Sequence, residues 1–134
     1  MNALIFGCDI LTDLIIKYLQ LNGYNVTVVS YEQDLLIDLE RKYTLPTILI
    51  KDHIMQDYLQ ESNINNVDMF LALSTDDHTN VMLAQIAKHL FDVKAVICRI
   101  EDRELNELYS ELDLKVIGKP DSQLYLEITN LIEV

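Results

Sequence analysis

The chain opens with a pattern that few folds accommodate. A short apolar run, Ala3, Leu4, Ile5 and Phe6, stops at Gly7, and a helical pattern begins at once. Strand, tight glycine turn and helix in that order are the opening of a βαβ nucleotide-binding unit. The turn is altered, however. Of the three glycines in G-x-G-x-x-G only Gly7 is present, with Asp9 and Thr12 in the other two places.

The rest of the chain repeats the alternation. Leu11, Leu14, Ile15, Tyr18, Leu19 and Leu21 have helical spacing, and Asn22 with Gly23 supplies the left-handed stop. The β-branched run from Val26 to Val29 predicts a buried second strand ending at Ser30. Leu35, Leu36 and Leu39 mark the inner face of a second helix, and Pro46 opens a third strand from Thr47 to Ile50. Asp52 suits the cap of a short helix carrying Ile54, Met55, Tyr58 and Leu59, followed by a polar loop to Asn66. Met69 to Leu73 reads as strand four, and Ser74 with Asp77 has capping-box spacing for a long helix to about Leu90. Strand five is Ala95 to Cys98, leading to Arg99. A helix with Leu105, Leu108 and Leu112, a sixth strand from Leu114 to Ile117, and a last helix opened by Pro120 complete the chain, with Leu124, Ile128, Leu131 and Ile132 on the last helix's inner side.

Strands and helices alternating in this way predict an α/β fold, a Rossmann-like, doubly wound, parallel six-stranded sheet with helices on both faces. Near-continuous apolar strands fit a sheet buried on both sides. The 134 residues, half of them hydrophobic, suffice for one core. No apolar run approaches the roughly 18 residues that cross a bilayer, so direct membrane insertion is not expected. Cys8 and Cys98 are far apart, which predicts reduced, buried thiols rather than a disulfide or zinc site. The net charge of −12, from 10 basic and 22 acidic residues, opposes nucleic acid as a partner. His53, His78 and His89 lack metal-ligand spacing, and Met55, Met69 and Met82 fit core positions.

In such a sheet the ligand lies beyond the carboxyl ends of the strands, where the strand order reverses between strands one and four. The candidate binding residues follow from that rule: Gly7, Cys8, Asp9, Ile10 and Leu11 in the first turn, Ser30 and Tyr31 after strand two, Lys51, Asp52 and His53 after strand three. Ser74, Thr75, Asp76 and Asn80 follow strand four, and Arg99 ends strand five. No catalytic group and no metal ligand is assigned.

Several segments then carry a resemblance. Gly7-Cys8 stands at the first turn, and Gly23-Tyr24-Asn25-Val26-Thr27-Val28-Val29 enters strand two. Asp52 follows strand three. Val67-Asp68-Met69-Phe70-Leu71-Ala72-Leu73-Ser74-Thr75-Asp76-Asp77-His78-Thr79-Asn80 leads into Leu83, Ala84 and Lys88, and Arg99 closes strand five. Over about 130 residues the chain resembles the RCK N (TrkA-N) nucleotide-binding domain of Trk and Ktr-type potassium uptake regulators. The resemblance implies that residues 1–134 are this domain, with the family's smaller C-terminal RCK domain absent from the chain. It implies a cytoplasmic regulator, peripheral to the inner face of the membrane through a partner, that forms a homodimer or ring. It also implies binding of NAD(H) or an adenine nucleotide (ATP, ADP or AMP) to gate a membrane potassium transporter or channel subunit. The residues around Asp52 would border the adenine, and the turn after strand four the ribose.

The departures bear on affinity. Asp9 puts a carboxylate where the second glycine lets backbone amides approach a pyrophosphate, and its ordinary role is an N-cap. Ile10 stands where the family often has a phosphate-reaching arginine. Ser30 replaces the acid that holds the ribose, and no Lys or Arg nearby suits a 2′-phosphate. Glu32 either reaches the ribose in its place or stands as a surface carboxylate in the first turn of helix two. Lys51 replaces a family glycine. Arg99 is the one well-placed cation for a phosphate, or else the partner of Glu101 or another acid. Three readings remain open: a regulatory nucleotide-binding domain, a ligand-free dimerisation scaffold of the same fold, and an NAD-dependent oxidoreductase module.

Overall fold

In the computed structural model of the protein, residues 1–7, 9–51, 64–110, 115–117 and 121–133 are described. Six parallel strands form one sheet: β1 (Asn2–Phe6), β2 (Asn25–Ser30), β3 (Thr47–Leu49), β4 (Met69–Ala72), β5 (Ala95–Arg99) and β6 (Lys115–Ile117). Their order is β3-β2-β1-β4-β5-β6. The described helices are α1 (Ile10–Leu21), α2 (Gln33–Tyr43), α3 (Asp77–His89), α4 (Arg103–Ser110) and α5 (Asp121–Glu133), with a 3-10 turn at Ile64–Asn66. The doubly wound architecture is as the alternation predicts. The helix expected to begin at Asp52 lies outside the described residues.

Burial on both sides of the sheet explains why the strands read as continuous apolar runs. Ala3 and Ile5 pack on one face with Leu11, Ile15 and Leu19 of α1, Leu36 and Leu39 of α2, and Ile128 of α5. Leu4 and Phe6 turn the other way, toward Val81, Leu83, Ala84 and Ala87 of α3. Each successive residue of β1 thus enters a different core, as a period of two requires. An edge-to-face contact between Tyr18 and Tyr125, centroids 6.3 Å apart, joins α1 to α5.

Some local expectations are corrected. Leu14, Leu35 and Met82 are not core residues but 47%, 39% and 45% exposed. The helical spacing placed them at the margin of an apolar stripe whose centre alone is covered. The Ser74 and Asp77 capping box does not form. Asp76 is the N-cap of α3, accepting from the Thr79 amide, because the helix starts later than Ser74 allows. Asp9 caps α1 as expected, and Gly23 follows it at φ +84°.

Register places the crevice. Phe6 of β1 is opposite Val29 of β2 and Ala72 of β4, so the chain leaves these three strands at one level. From there β1 turns into α1 on one face and β4 into α3 on the other. The ends of β1 and β4 are therefore the point where the order reverses.

Candidate functional site

The crevice is built on a close backbone contact. Gly7 has φ +115°, and a Cβ at this position would stand 2.8 Å from the Ser74 nitrogen and 2.9 Å from the Leu73 carbonyl carbon. Only glycine meets both demands, the left-handed φ and the approach of one main chain to another. The Leu73 amide donates to the Phe6 carbonyl at 2.8 Å, and the Gly7 amide to the Val29 carbonyl at 3.0 Å.

Asn80 fixes the β4–α3 turn. Fully buried on α3, it accepts from the Ser74 amide at 3.1 Å and the Ser74 hydroxyl at 2.6 Å. Its Nδ2 donates to the carbonyls of Ser74 at 2.8 Å and Arg99 at 2.9 Å. One carboxamide thereby joins the ends of β4 and β5. Asp77 extends the tie, accepting from the amides of Glu101 and Asp102 at 2.8 and 2.7 Å. The sequence placed Asp77 in a capping box and in the turn facing the ligand, not in a tie to the loop after β5; the adjacent Asp76-Asp77 pair, one residue more than a cap needs, was the available signal.

The electrostatic centre is Arg99. Its side chain is 5% exposed. One terminal nitrogen donates to the Asp9 carboxylate at 3.1 Å and lies 3.5 Å from the Leu73 carbonyl; the other donates to Glu101 at 2.6 Å. Asp9 also takes the Thr12 amide at 3.1 Å. The Thr12 hydroxyl, in the third-glycine position, is satisfied by the Gly7 carbonyl at 3.1 Å. A carboxylate thus sits where helix α1 presents its positive end, and holds the cation across the crevice.

The second strand ends differently from a ribose-binding acid. Ser30 is buried and its hydroxyl accepts the Glu32 amide at 3.2 Å. Tyr31 is exposed, edge-on to Phe6 at 6.0 Å. Burial, and then the nearby Asp76 carboxylate, raise its phenol above the ordinary 10.0. Cys98, in the same layer, is buried and its thiol is pushed up to about 12, first by burial and then by Asp77, so it carries no reactive thiolate.

The structure therefore brings Gly7, Asp9, Ser74, Asn80 and Arg99 together, with Tyr31, Thr75 and Asp76 at the mouth. Lys51 is exposed. Leu11 is a core residue, and Ile10, 81% exposed, lines the groove between α1 and α2. Cys8, Asp52 and His53 lie outside the described residues. Among the described residues no cluster of His, Cys, Asp and Glu has metal-site geometry, and no helix is long and apolar enough to cross a membrane.

An open parallel sheet with a crevice at its switch point defines a Rossmann-like domain of the nucleotide-binding class. The chain belongs to the TrkA-N domain family, whose model matches residues 3–120. A "Trk system potassium uptake protein TrkA homolog" of Pyrococcus abyssi is 26% identical over 84% of this chain and 49% of its own length. The chain spans about half the length of the curated relatives it matches. Among solved structures, the TrkA-N domain of the inner membrane protein ybaL from Escherichia coli superimposes with a TM-score of 0.75 at 11% identity, covering 98% of this chain and 96% of that one. A Shewanella denitrificans Kef CTD in AMP-bound form gives a TM-score of 0.69 at 16% identity over 99% and 81% of the two chains.

Proposed function

We propose that this chain is the cytoplasmic, regulatory nucleotide-binding domain of a potassium transport system. In this reading it is not an enzyme. It takes an adenine nucleotide or NAD(H) in the switch-point crevice, and works as a homodimer or ring on a membrane potassium transporter or channel subunit. Residues 1–134 are then the RCK N domain. The observation that carries the reading is the close Gly7–Ser74 main-chain approach at the ends of β1 and β4, the glycine turn at the switch point in a family of nucleotide-binding folds. The Trk names of its relatives support the transport role, and the AMP-bound neighbour supports the ligand class.

The polar groups present favour an adenosine-type ligand over a pyrophosphate. Tyr31, Thr75 and Asp76 are exposed at the mouth, Asp76 while capping α3, whereas the Thr12 amide of α1 and the guanidinium of Arg99 are bound by the Asp9 carboxylate. A pyrophosphate must displace that carboxylate, so binding at this end is weakened. The same pair favours a second reading, a dimerisation scaffold that has given up its ligand. Calorimetric titration with NADH, NAD, ATP, ADP and AMP separates the two. Saturable binding of any of them supports the regulator, and silence at millimolar ligand leaves the scaffold. Hydride transfer to or from NAD(H) with any substrate would instead revive the oxidoreductase module.

A further inference from the structure

The seam between α1 and α2 carries more exposed apolar surface than two solvated helices need. Ile10, Leu14 and Leu35 lie open along it. Ile10 and Leu35 line a groove of about 460 Å³, and Ile10 and Leu14 an adjoining hollow of about 350 Å³. Single exposed leucines are ordinary, but adjacent apolar side chains rimmed by charge mark interaction surfaces. Ile10 and Leu14 are one turn apart, so the floor follows the helix for about 5 Å or more.

The rim is polarised. Glu32 and Asp38 stand on the wall formed by α2, while Lys17 and Lys42 stand in the adjoining hollow. Asp9 and Asp13 also face the groove, but Arg99 compensates the first at 3.1 Å and Lys42 the second at 2.9 Å. Glu32 and Asp38 are thus the carboxylates placed to receive cations from outside. An anionic bilayer or a phosphorylated ligand is repelled by this rim and by a net charge of −12.

We propose that the groove docks a basic amphipathic helix of a protein partner. Its apolar side chains lie on Ile10, Leu14 and Leu35, and its Lys or Arg side chains reach Glu32 and Asp38. Charge complementarity selects this occupant, and spacing along α1 fits the one-turn anchors by which such helices enter grooves. The groove borders the crevice at Asp9, and the proposal itself involves no nucleotide.

Fluorescence anisotropy of a labelled synthetic helix with Leu on one face and Lys on the other tests it, in nucleotide-free buffer. The native chain binds this helix and not the counterpart with Glu for Lys. Ile10→Ser with Leu35→Ser, and separately Glu32→Lys with Asp38→Lys, each weaken binding by about tenfold or more, the scale of losing central anchors or charge partners. Glu104→Lys with Glu107→Lys, which changes the net charge equally on the exposed face of α4, leaves affinity within about twofold, since rim charges far from a contact act weakly. Circular dichroism verifies each fold, and Ile10→Ala with Leu35→Ala replaces any variant that fails. Equal loss from the α4 pair, no loss from the apolar pair, or self-association of the chain through this seam would each overturn the proposal.

Discussion

Arg99 at the end of β5 and Asp9 at the cap of α1 are 90 positions apart in sequence and form an ion pair of 3.1 Å across the crevice. The pair places a resident negative charge at the positive end of α1, against the one buried cation described at the site. Replacing Asp9 by glycine restores the family's turn residue and releases both. We expect Asp9→Gly to bind adenine nucleotides more tightly than the native chain by calorimetry. Unchanged or weaker binding would contradict the role given to Asp9. The same variant loses a helix cap, worth roughly a few tenths of a kcal/mol where glycine takes the place, together with the Arg99 ion pair, so urea unfolding should shift to lower concentration.

Among the described residues, the two glycines with positive φ separate conformational strain from collision. A Cβ on Gly23 meets nothing within 4 Å, whereas a Cβ on Gly7 meets main-chain atoms at 2.8 and 2.9 Å. Gly23→Ala is expected to cost about 1 kcal/mol, the price of a left-handed residue. Gly7→Ala costs more, on the order of 2–4 kcal/mol, because backbone cannot rotate aside as a side chain does. Urea unfolding of the two variants side by side measures the difference, and equal losses would mean that β1 and β4 part without resistance.

Asn80 makes four hydrogen bonds from a fully buried position. Asn80→Leu keeps much of the volume and leaves the Ser74 and Arg99 groups without their buried partner, so it is expected to destabilise by about 2–4 kcal/mol. Asn80→Asp retains the acceptors and loses the donors, and falls between. If Asn80→Leu unfolds at native urea concentrations, the turn is not held by this side chain.

Asp13 gives the chain a pH signature. Burial works to raise its carboxyl, but hydrogen bonds from Tyr43 and Lys42, with the charges of Lys42 and Lys17, hold it below the ordinary 3.8. The phenol of Tyr43 is raised above 10.0, by burial first and then by Asp13, and the Lys42 amine above 10.5, chiefly by its hydrogen bond to Asp13. A depressed acid contributes stability above its unfolded value and loses it as pH falls through the folded one. Raised groups contribute below their unfolded values and lose it as pH rises through the folded ones. Unfolding free energy should therefore fall below about pH 4 and again above about pH 10, following the unfolded reference values. Tyr43→Phe should flatten the alkaline limb, and Asp13→Asn both. An alkaline limb unaltered in Tyr43→Phe would place its origin elsewhere.

The sheet was legible because its signals are local and repeated. Phe70 to Leu73 and Val96 to Cys98 are apolar at every position, and Val26 to Val29 at all but Thr27, as both-sided burial requires, and Gly7 and Gly23 mark turns whose φ they permit. The helix faces were read too broadly. Spacing shows that Leu14, Leu35 and Met82 lie near a stripe, but not how far the sheet extends to cover it. The site was legible in position and less so in state. The turn after β4 and the end of β5 fall where a doubly wound sheet puts a ligand, so Ser74, Asn80 and Arg99 could be expected from the sequence to come together, and they do. Which acid Arg99 meets depends on the depth of two crossovers, and that is settled only when Asp9 and Glu101 are placed on either side of it.

Asp77 has one consequence for motion. Loop amides ordinarily exchange their hydrogens with solvent first, because nothing buried holds them. Here the amides of Glu101 and Asp102 are held by a side chain at the start of α3, that of Ser74 by Asn80 on the same helix, and the carbonyl of Arg99 by Asn80 again. Protection in the loop after β5 is thus set by the integrity of a helix elsewhere in the sequence. A deuterium label entering Glu101 reports the opening of α3 from the sheet, before any ligand is added.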